Sequence, residues 1–234
     1  MRLVEHYTST QGEGPRVGTL TQFVRMAGCN LKCPGWPCDT PFAIFPDQYR
    51  EEQFSRQPWE LVSDIEKMYK ETGAANICFT GGEPFLQPHK EIIGLLQRLF
   101  DGPEPPWTTE AFTNGTFQVP AEWFLMGGQL VMDWKLPGSG EKTWVEERSL
   151  NLTQMATYGG SVKFTVADEY DFSIAMDLWA TIVKHSGVPV FVGPVWGREW
   201  GAVQIVDLIK QHKVPWRLNI QTHNYIYGAQ KRGT

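Results

Sequence analysis

Three cysteines, Cys29, Cys33 and Cys38, fall within ten residues in the spacing C-x3-C-x4-C. The stretch that carries them, Gly28 to Thr40, also holds Gly28, Pro34, Gly35 and Pro37. Glycine's backbone freedom and proline's missing N–H deny this stretch a regular helix or strand. It must be a loop that brings three thiolates together. A disulfide framework uses cysteines in pairs and would leave one over. A structural zinc site usually takes four ligands, typically from C-x2-C units. Three thiolates on one loop suit an iron–sulfur cube whose fourth iron is open to a non-protein ligand. Four-cysteine ligation is the usual arrangement, so the missing fourth is informative. A chance group of buried thiols, or a zinc knuckle completed by a histidine, stays open on spacing alone.

The rest of the chain alternates strand and helix patterns. Leu3 to Thr8 reads as a short strand entering a Gly-rich turn at Gln11-Gly12-Glu13-Gly14, and Leu20 to Met26 as the strand that feeds the cysteine loop. Pro58 to Thr72 reads as a helix with Leu61, Ile65 and Met68 on one face and Gly73 as its stop. Asn76 to Phe79 is an apolar strand, with Cys78 read as a small core residue. It ends in Thr80-Gly81-Gly82-Glu83, where a glycine pair lets backbone approach a ligand closely. Lys90 to Phe100 is an amphipathic helix. Further strands are expected at Thr108–Phe112, Gln129–Trp134, Ser161–Val166, Val188–Val192 and Trp216–Ile220, with helices at Asp171–Lys184 and Ala202–His212. An N-terminal hairpin followed by about six strand–helix steps predicts an α/β fold, an incomplete parallel (β/α) barrel. The distinctive motifs lie at the C-terminal ends of strands, the usual ligand face of such sheets. Residues 1–234 read as a single domain, without repeats or an interdomain linker.

Composition removes whole classes of function. The formal charge is −5 and there is no run of Lys and Arg, which argues against a broad nucleic-acid surface. Apolar residues make up 41% of the chain, and no stretch approaches the roughly 20 apolar residues of a membrane span. MRLVEHYTS is too polar and short for a signal peptide. Clustered cysteines suit a reducing cytoplasm better than a disulfide scaffold.

Six short segments then carry a resemblance: STQGEGPRVG (Ser9 to Gly18), FVRMAGCNLKC (Phe23 to Cys33), CDT (Cys38 to Thr40), TGGEPFLQ (Thr80 to Gln87), TNGT (Thr113 to Thr116) and QTHNYIYG (Gln221 to Gly228). In this order the chain resembles the radical S-adenosylmethionine (SAM) superfamily, and most closely 7-carboxy-7-deazaguanine synthases. It departs from the common pattern in the gap between Cys33 and Cys38, two residues longer than usual. The rivals are another radical SAM enzyme, such as an activase that abstracts hydrogen from a protein glycine, and a zinc-binding nucleic-acid module. The activase would lack QGEG, CDT and the QTHNYIYG tail.

The resemblance implies a [4Fe-4S] cluster on Cys29, Cys33 and Cys38 and a Mg2+ on Thr40. It implies SAM contacts at Gly82, Glu83, Asn114, Asp133, Trp134 and Lys135, with Lys135 neutralising the SAM carboxylate. Substrate contacts fall to Thr10, Gln11, Gly12, Arg25 and Thr80, with Glu13 as a lesser candidate; Glu110, pointing inward at the mouth near SAM, is a lesser candidate there. Arg25 offers a fork of N–H donors to a carboxylate that lysine cannot copy. Lys163 stands at an inward-capable position and would need a partner. His223 is left out of catalysis. No catalytic side chain is expected beyond the cofactor ligands. The implied reaction takes 6-carboxy-5,6,7,8-tetrahydropterin to 7-carboxy-7-deazaguanine with loss of ammonia, as in queuosine-type 7-deazapurine biosynthesis. An electron donor such as flavodoxin and a homodimer complete the implied picture; direct contact with nucleic acid or membrane does not belong to it.

Overall fold

Among the described residues, nine strands form one sheet. The structure, a computed structural model, describes residues 1–36, 38–44, 49–142, 145–228 and 232–233. Pro37 of the cysteine loop and the terminal Thr234 lie outside these.

β1 (Arg2–Thr10) and β2 (Leu20–Met26) are the expected hairpin, antiparallel, with Tyr7 opposite Phe23. A two-residue β3 (Phe54–Ser55) flanks β1. From β2 onward every pairing is parallel, through β4 (Asn76–Gly81), β5 (Thr108–Thr113), β6 (Gln129–Asp133), β7 (Gly160–Val166), β8 (Val190–Pro194) and β9 (Arg217–Leu218). Parallel neighbours need crossovers. These are built around α2 (Pro58–Thr72), α3 (His89–Leu99), α4 (Ala121–Leu125), α5 (Val145–Tyr158), α6 (Glu169–Leu178) and α8 (Ala202–His212), while α1 (Pro41–Ile44) and α9 (Thr222–Tyr227) flank the strand ends. α6 widens into a π-helical turn, Trp179–Val183, before a last turn, α7 (Lys184–Ser186). β3 and β9 stand at opposite edges of the sheet, so the barrel is incomplete.

Alternation along each strand sorts side chains between two faces. Val24, Met26, Ile77, Phe79, Ala111, Leu130, Met132, Val162, Phe164, Val190 and Val192 point outward into one core shared with Leu61, Ile65, Leu95, Leu96, Trp123 and Leu152 of the helices. The alternate positions Arg25, Thr80, Asp133 and Lys163 therefore face the concave side, where they line a cavity. β8 begins two residues later than its apolar run suggests, because Pro189 has no N–H to give the ladder; its carbonyl still accepts from Val162 at 3.0 Å.

Candidate functional site

At the C-terminal ends of the parallel strands lies a cavity of about 340 Å³ whose lining includes Cys29, Cys33 and Cys38. The loop leaves β2 at Gly28, whose N–H donates to Ala43 at 2.6 Å. It returns past β4, where Glu83 N–H donates to the Gly28 carbonyl at 2.8 Å and Gly82 N–H to Met26 at 3.0 Å. A Cβ on Gly82 would lie 1.8 Å from the Gly28 oxygen. The glycine thus serves first to let the cysteine loop lie against β4.

N–H groups point at the sulfurs: Leu31 N lies 3.4 Å from Cys29 Sγ, Thr40 N 3.4 Å from Cys38 Sγ, and Asn114 Nδ2 3.8 Å from Cys29 Sγ. Such donors suit thiolates. Burial pushes the Cys29 and Cys33 thiols up to about 11, so as lone groups both are held protonated. An iron or cluster that takes up the sulfur charge reverses that preference. Among the described residues, no three His, Cys, Asp or Glu side chains converge on a single-ion point. The cysteines instead ring a shared cavity, which fits a cube in which each sulfur takes its own iron.

Two of the residues expected to meet SAM keep their side chains out of this cavity. Glu83 is fully buried, and its carboxylate accepts from Phe85 N at 3.0 Å, Thr113 Oγ1 at 2.7 Å and Asn114 N at 2.7 Å. Burial still raises its carboxyl above the usual range against those bonds. Trp134 turns into the core, tilted on Phe164 with ring centroids 6.5 Å apart. Both can serve a ligand only through backbone. Gly82, Asn114, Asp133 and Lys135 do line the cavity.

A ladder of charge crosses the cavity. Lys135 Nζ lies 3.0 Å from Asp133 Oδ2, Lys163 Nζ lies 3.6 Å from the same oxygen, and Lys163 also meets Glu13 Oε1 at 2.8 Å. Burial alone would neutralise Asp133, but the two lysines outweigh it and hold the carboxyl below its ordinary range. Burial likewise opposes the charge on Lys163, yet Glu13 and Asp133 raise its ammonium well above the normal lysine value. Lys163 thus has the partners its position required.

On the opposite wall stands Arg25. Its Nε donates to Glu5 Oε2 and its Nη2 to the Tyr7 hydroxyl, each at 2.8 Å, which leaves part of the fork for a ligand. Thr10, Gln11, Gly12, Thr40 and Thr80 line the same cavity. Gln11 is fixed from beneath: its Nε2 donates to Glu110 Oε1 at 2.6 Å, and its Oε1 accepts from Glu13 N at 3.3 Å. Glu110 itself is fully buried under the cavity, where burial raises its carboxyl. Among the described residues the Thr40 hydroxyl makes only long contacts, 3.3 Å to the Gly81 carbonyl and 3.6 Å to Cys38 Sγ, so its oxygen can serve a hard cation.

Sequence reasoning passed over several lining residues. Glu5 and Tyr7 come from inward positions of β1, and Asp39 from the cysteine loop. His223, set aside above, packs so closely on Gly12 that a Cβ there would lie 2.2 Å from its Nδ1. Arg232 reaches in from the far end of the chain, 3.3 Å from Glu5 Oε1 and stacked 3.7 Å over the Phe42 ring.

This chain is similar to known proteins in sequence and in fold. A family model described as a 4Fe-4S single cluster domain matches residues 10–121. The crystal structure of QueE from Escherichia coli superposes with a TM-score of 0.71 at 20% identity, covering 94% of this chain and 93% of that one, which shows a common fold. The 7-carboxy-7-deazaguanine synthase of Clostridium acetobutylicum is 32% identical, covering 99% of this chain and 98% of the relative. The synthase of Leptospira interrogans is 33% identical, covering 97% and 95%. That of Methanospirillum hungatei is 31% identical, covering 97% and 85%. Likeness at this level over nearly the whole chain places it in the 7-carboxy-7-deazaguanine synthase family.

Proposed function

We propose that this chain is a radical SAM lyase that converts 6-carboxy-5,6,7,8-tetrahydropterin to 7-carboxy-7-deazaguanine with loss of ammonia. The observation that carries the reading is full-length likeness to synthases of that name, in a chain whose three loop thiols line one cavity with Arg25 and the lysine–carboxylate ladder. When bound, the reduced cluster and SAM supply a 5′-deoxyadenosyl group able to abstract hydrogen, and Mg2+ supplies positive charge beside the substrate.

The chain's own residues hold and orient. Cys29, Cys33 and Cys38 ligate the cluster. Lys135 would receive the SAM carboxylate, with the Gly82–Glu83 backbone, Asn114 and the Asp133–Trp134 segment as the other SAM contacts. Arg25 takes the substrate carboxylate, with Thr10, Gln11, Gly12 and Thr80 around the pterin. Thr40 holds Mg2+ through its hydroxyl. Residues 1–234 act as one radical SAM domain, a reading supported by the single sheet from Arg2 to Leu218. A flavodoxin-type electron donor, a homodimer and a cytoplasmic site of action are expectations from the resemblance. No described helix is long and apolar enough to cross a membrane.

The test is anaerobic reconstitution with iron and sulfide, then SAM, reductant, Mg2+ and carboxytetrahydropterin, with product read by mass. The expected result is 7-carboxy-7-deazaguanine that disappears in Cys33→Ala. 5′-Deoxyadenosine without that product would overturn the substrate assignment. Thr40→Ala should slow turnover while cluster absorbance is unchanged; equal rates in variant and parent, with and without Mg2+, would remove the metal role.

A further inference from the structure

Pro34 and Gly35, in the lengthened gap after Cys33, are docked against the turn after β6. Gly35 N–H donates to the Ser139 carbonyl at 2.9 Å, and the Gly35 carbonyl accepts from Arg198 Nη2 at 2.8 Å. A Cβ on Gly35 would lie 1.9 Å from the Gly138 oxygen, so only glycine lets the two backbones meet. Trp36 packs with Ala167 and Val195. The turn is anchored in its own right: buried Asp171 accepts Gly138 N at 2.7 Å and Ala167 N at 3.0 Å.

At the end of that turn stands Glu141, whose own N–H is held by Ser139 Oγ at 3.1 Å. One of its carboxylate oxygens accepts two successive backbone N–H groups of the cysteine loop, Lys32 at 2.7 Å and Cys33 at 2.8 Å. Cys33 is one of two described non-glycine residues with a left-handed φ, at 44°. That conformation costs an ordinary residue energy unless its surroundings impose it. Paired N–H groups of this kind form an anion-binding nest, a device that Fe–S sites also use. Here a carboxylate of the same chain fills it.

We propose that Glu141 is a positioning residue for the iron–sulfur cluster, an inference that rests on the cluster reading above. It holds Cys33 in its left-handed conformation and so presents the sulfur. It also diverts two N–H donors from the cluster and places a fixed negative charge beside the Cys33 ligand. Hydrogen bonds to cluster sulfurs and net charge both set the potential, so each effect makes reduction harder.

The experiment compares reconstituted parent, Glu141→Gln and Glu141→Ala by potentiometric titration of the cluster's EPR signal and by the rate of iron loss to a chelator. Melting of the iron-free forms monitors folding. Glu141→Gln keeps an acceptor oxygen and loses the charge; it should hold iron like the parent and titrate at a less negative potential. Glu141→Ala loses both; its iron should leave about 10-fold faster or more, the usual cost of removing an outer partner of a metal ligand. The inference falls if Glu141→Gln titrates at the parent potential, or if Glu141→Ala keeps its iron as the parent does. A parent that binds no iron overturns the cluster reading itself, so the parent alone tells the two failures apart.

Discussion

Substituting Gly82 with alanine should separate the cysteine loop from the sheet. The added Cβ would sit 1.8 Å from the Gly28 oxygen and 2.4 Å from its carbonyl carbon, where ordinary contact begins near 3.4 Å. Both obstacles are backbone, so no rotamer change relieves the clash, and the loop must retreat by well over an ångström. Gly82 has no left-handed φ, so the cost is steric rather than conformational. Overpacking of this kind costs about 1–3 kcal/mol. Retreat also strains the bonds from Glu83 N to Gly28 and Gly82 N to Met26, each contributing about 0.5–1.5 kcal/mol. The expected loss is therefore about 2–6 kcal/mol, a large share of a typical total of about 5–15 kcal/mol. Gly94, inside α3 with nothing within 4 Å of its would-be Cβ, is the control. Gly94→Ala should stabilise by about 0.5–1 kcal/mol. Anaerobic urea unfolding of the iron-free chain reads both, and iron retention after reconstitution reads the loop. A Gly82→Ala chain that loses less than about 1 kcal/mol and keeps its iron would refute the reasoning.

Lys163→Met should cost about 3 kcal/mol, the low end for breaking a buried pair, because Asp133 keeps Lys135 and Glu13 keeps a bond from Asn219 Nδ2 at 3.0 Å. Adding Glu13→Gln should recover part of that loss; additive costs in the double-mutant cycle would show that the pair is not coupled. Burial, against the opposing pull of Glu13 and Asp39, lowers the His223 imidazole from its ordinary 6.5. The unfolded chain then takes up the proton first, so stability falls as pH drops below about 6.5 toward the lower folded value, and above 6.5 His223 contributes no slope. His223→Gln should flatten the melting temperature between pH 7.5 and 5.5 relative to the parent, and identical slopes would exclude the effect.

The fold was legible where apolar period and punctuation agree. α2 runs from Pro58 to Thr72 as read, because Pro58 suits a first turn, Glu60 accepts the Gln57 N–H at 2.7 Å and Gly73 ends it with φ at 76°. α5 escaped notice because its buried face includes Arg148 and Asn151, which break the apolar period. They are buried for a tertiary reason: Arg148 Nε donates to the Asn114 carbonyl at 2.9 Å, and Asn151 Nδ2 to Gly115 and Phe117 at 3.1 and 2.8 Å. That helix props the very turn expected to meet SAM, a relation no local window contains. The same limit hid Glu141 and Arg232, whose partners lie on distant segments of the chain. For Glu83 the motif marks the end of a strand, while the direction of the side chain depends on Thr113 and Asn114.

The charges of the cavity lining bear on how such a site selects its ligands. Among the described residues the lining places Glu5, Glu13, Asp39 and Asp133 against Arg25, Lys135, Lys163 and Arg232, a neutral balance. Each of these cations already has a carboxylate neighbour: Arg25 and Arg232 share Glu5, and Lys135 and Lys163 share Asp133. Pre-pairing avoids leaving bare charges in a closed site, where an unpaired ion is costly. It also means that an incoming carboxylate must compete with a resident one. A single anionic group gains little from that exchange. A ligand that also fills the cavity and occupies the remaining N–H donors of Arg25 gains enough to displace the resident contact. The ladder is therefore better suited to rejecting small anions than to attracting them, and specificity arises from the whole ligand rather than from its charge.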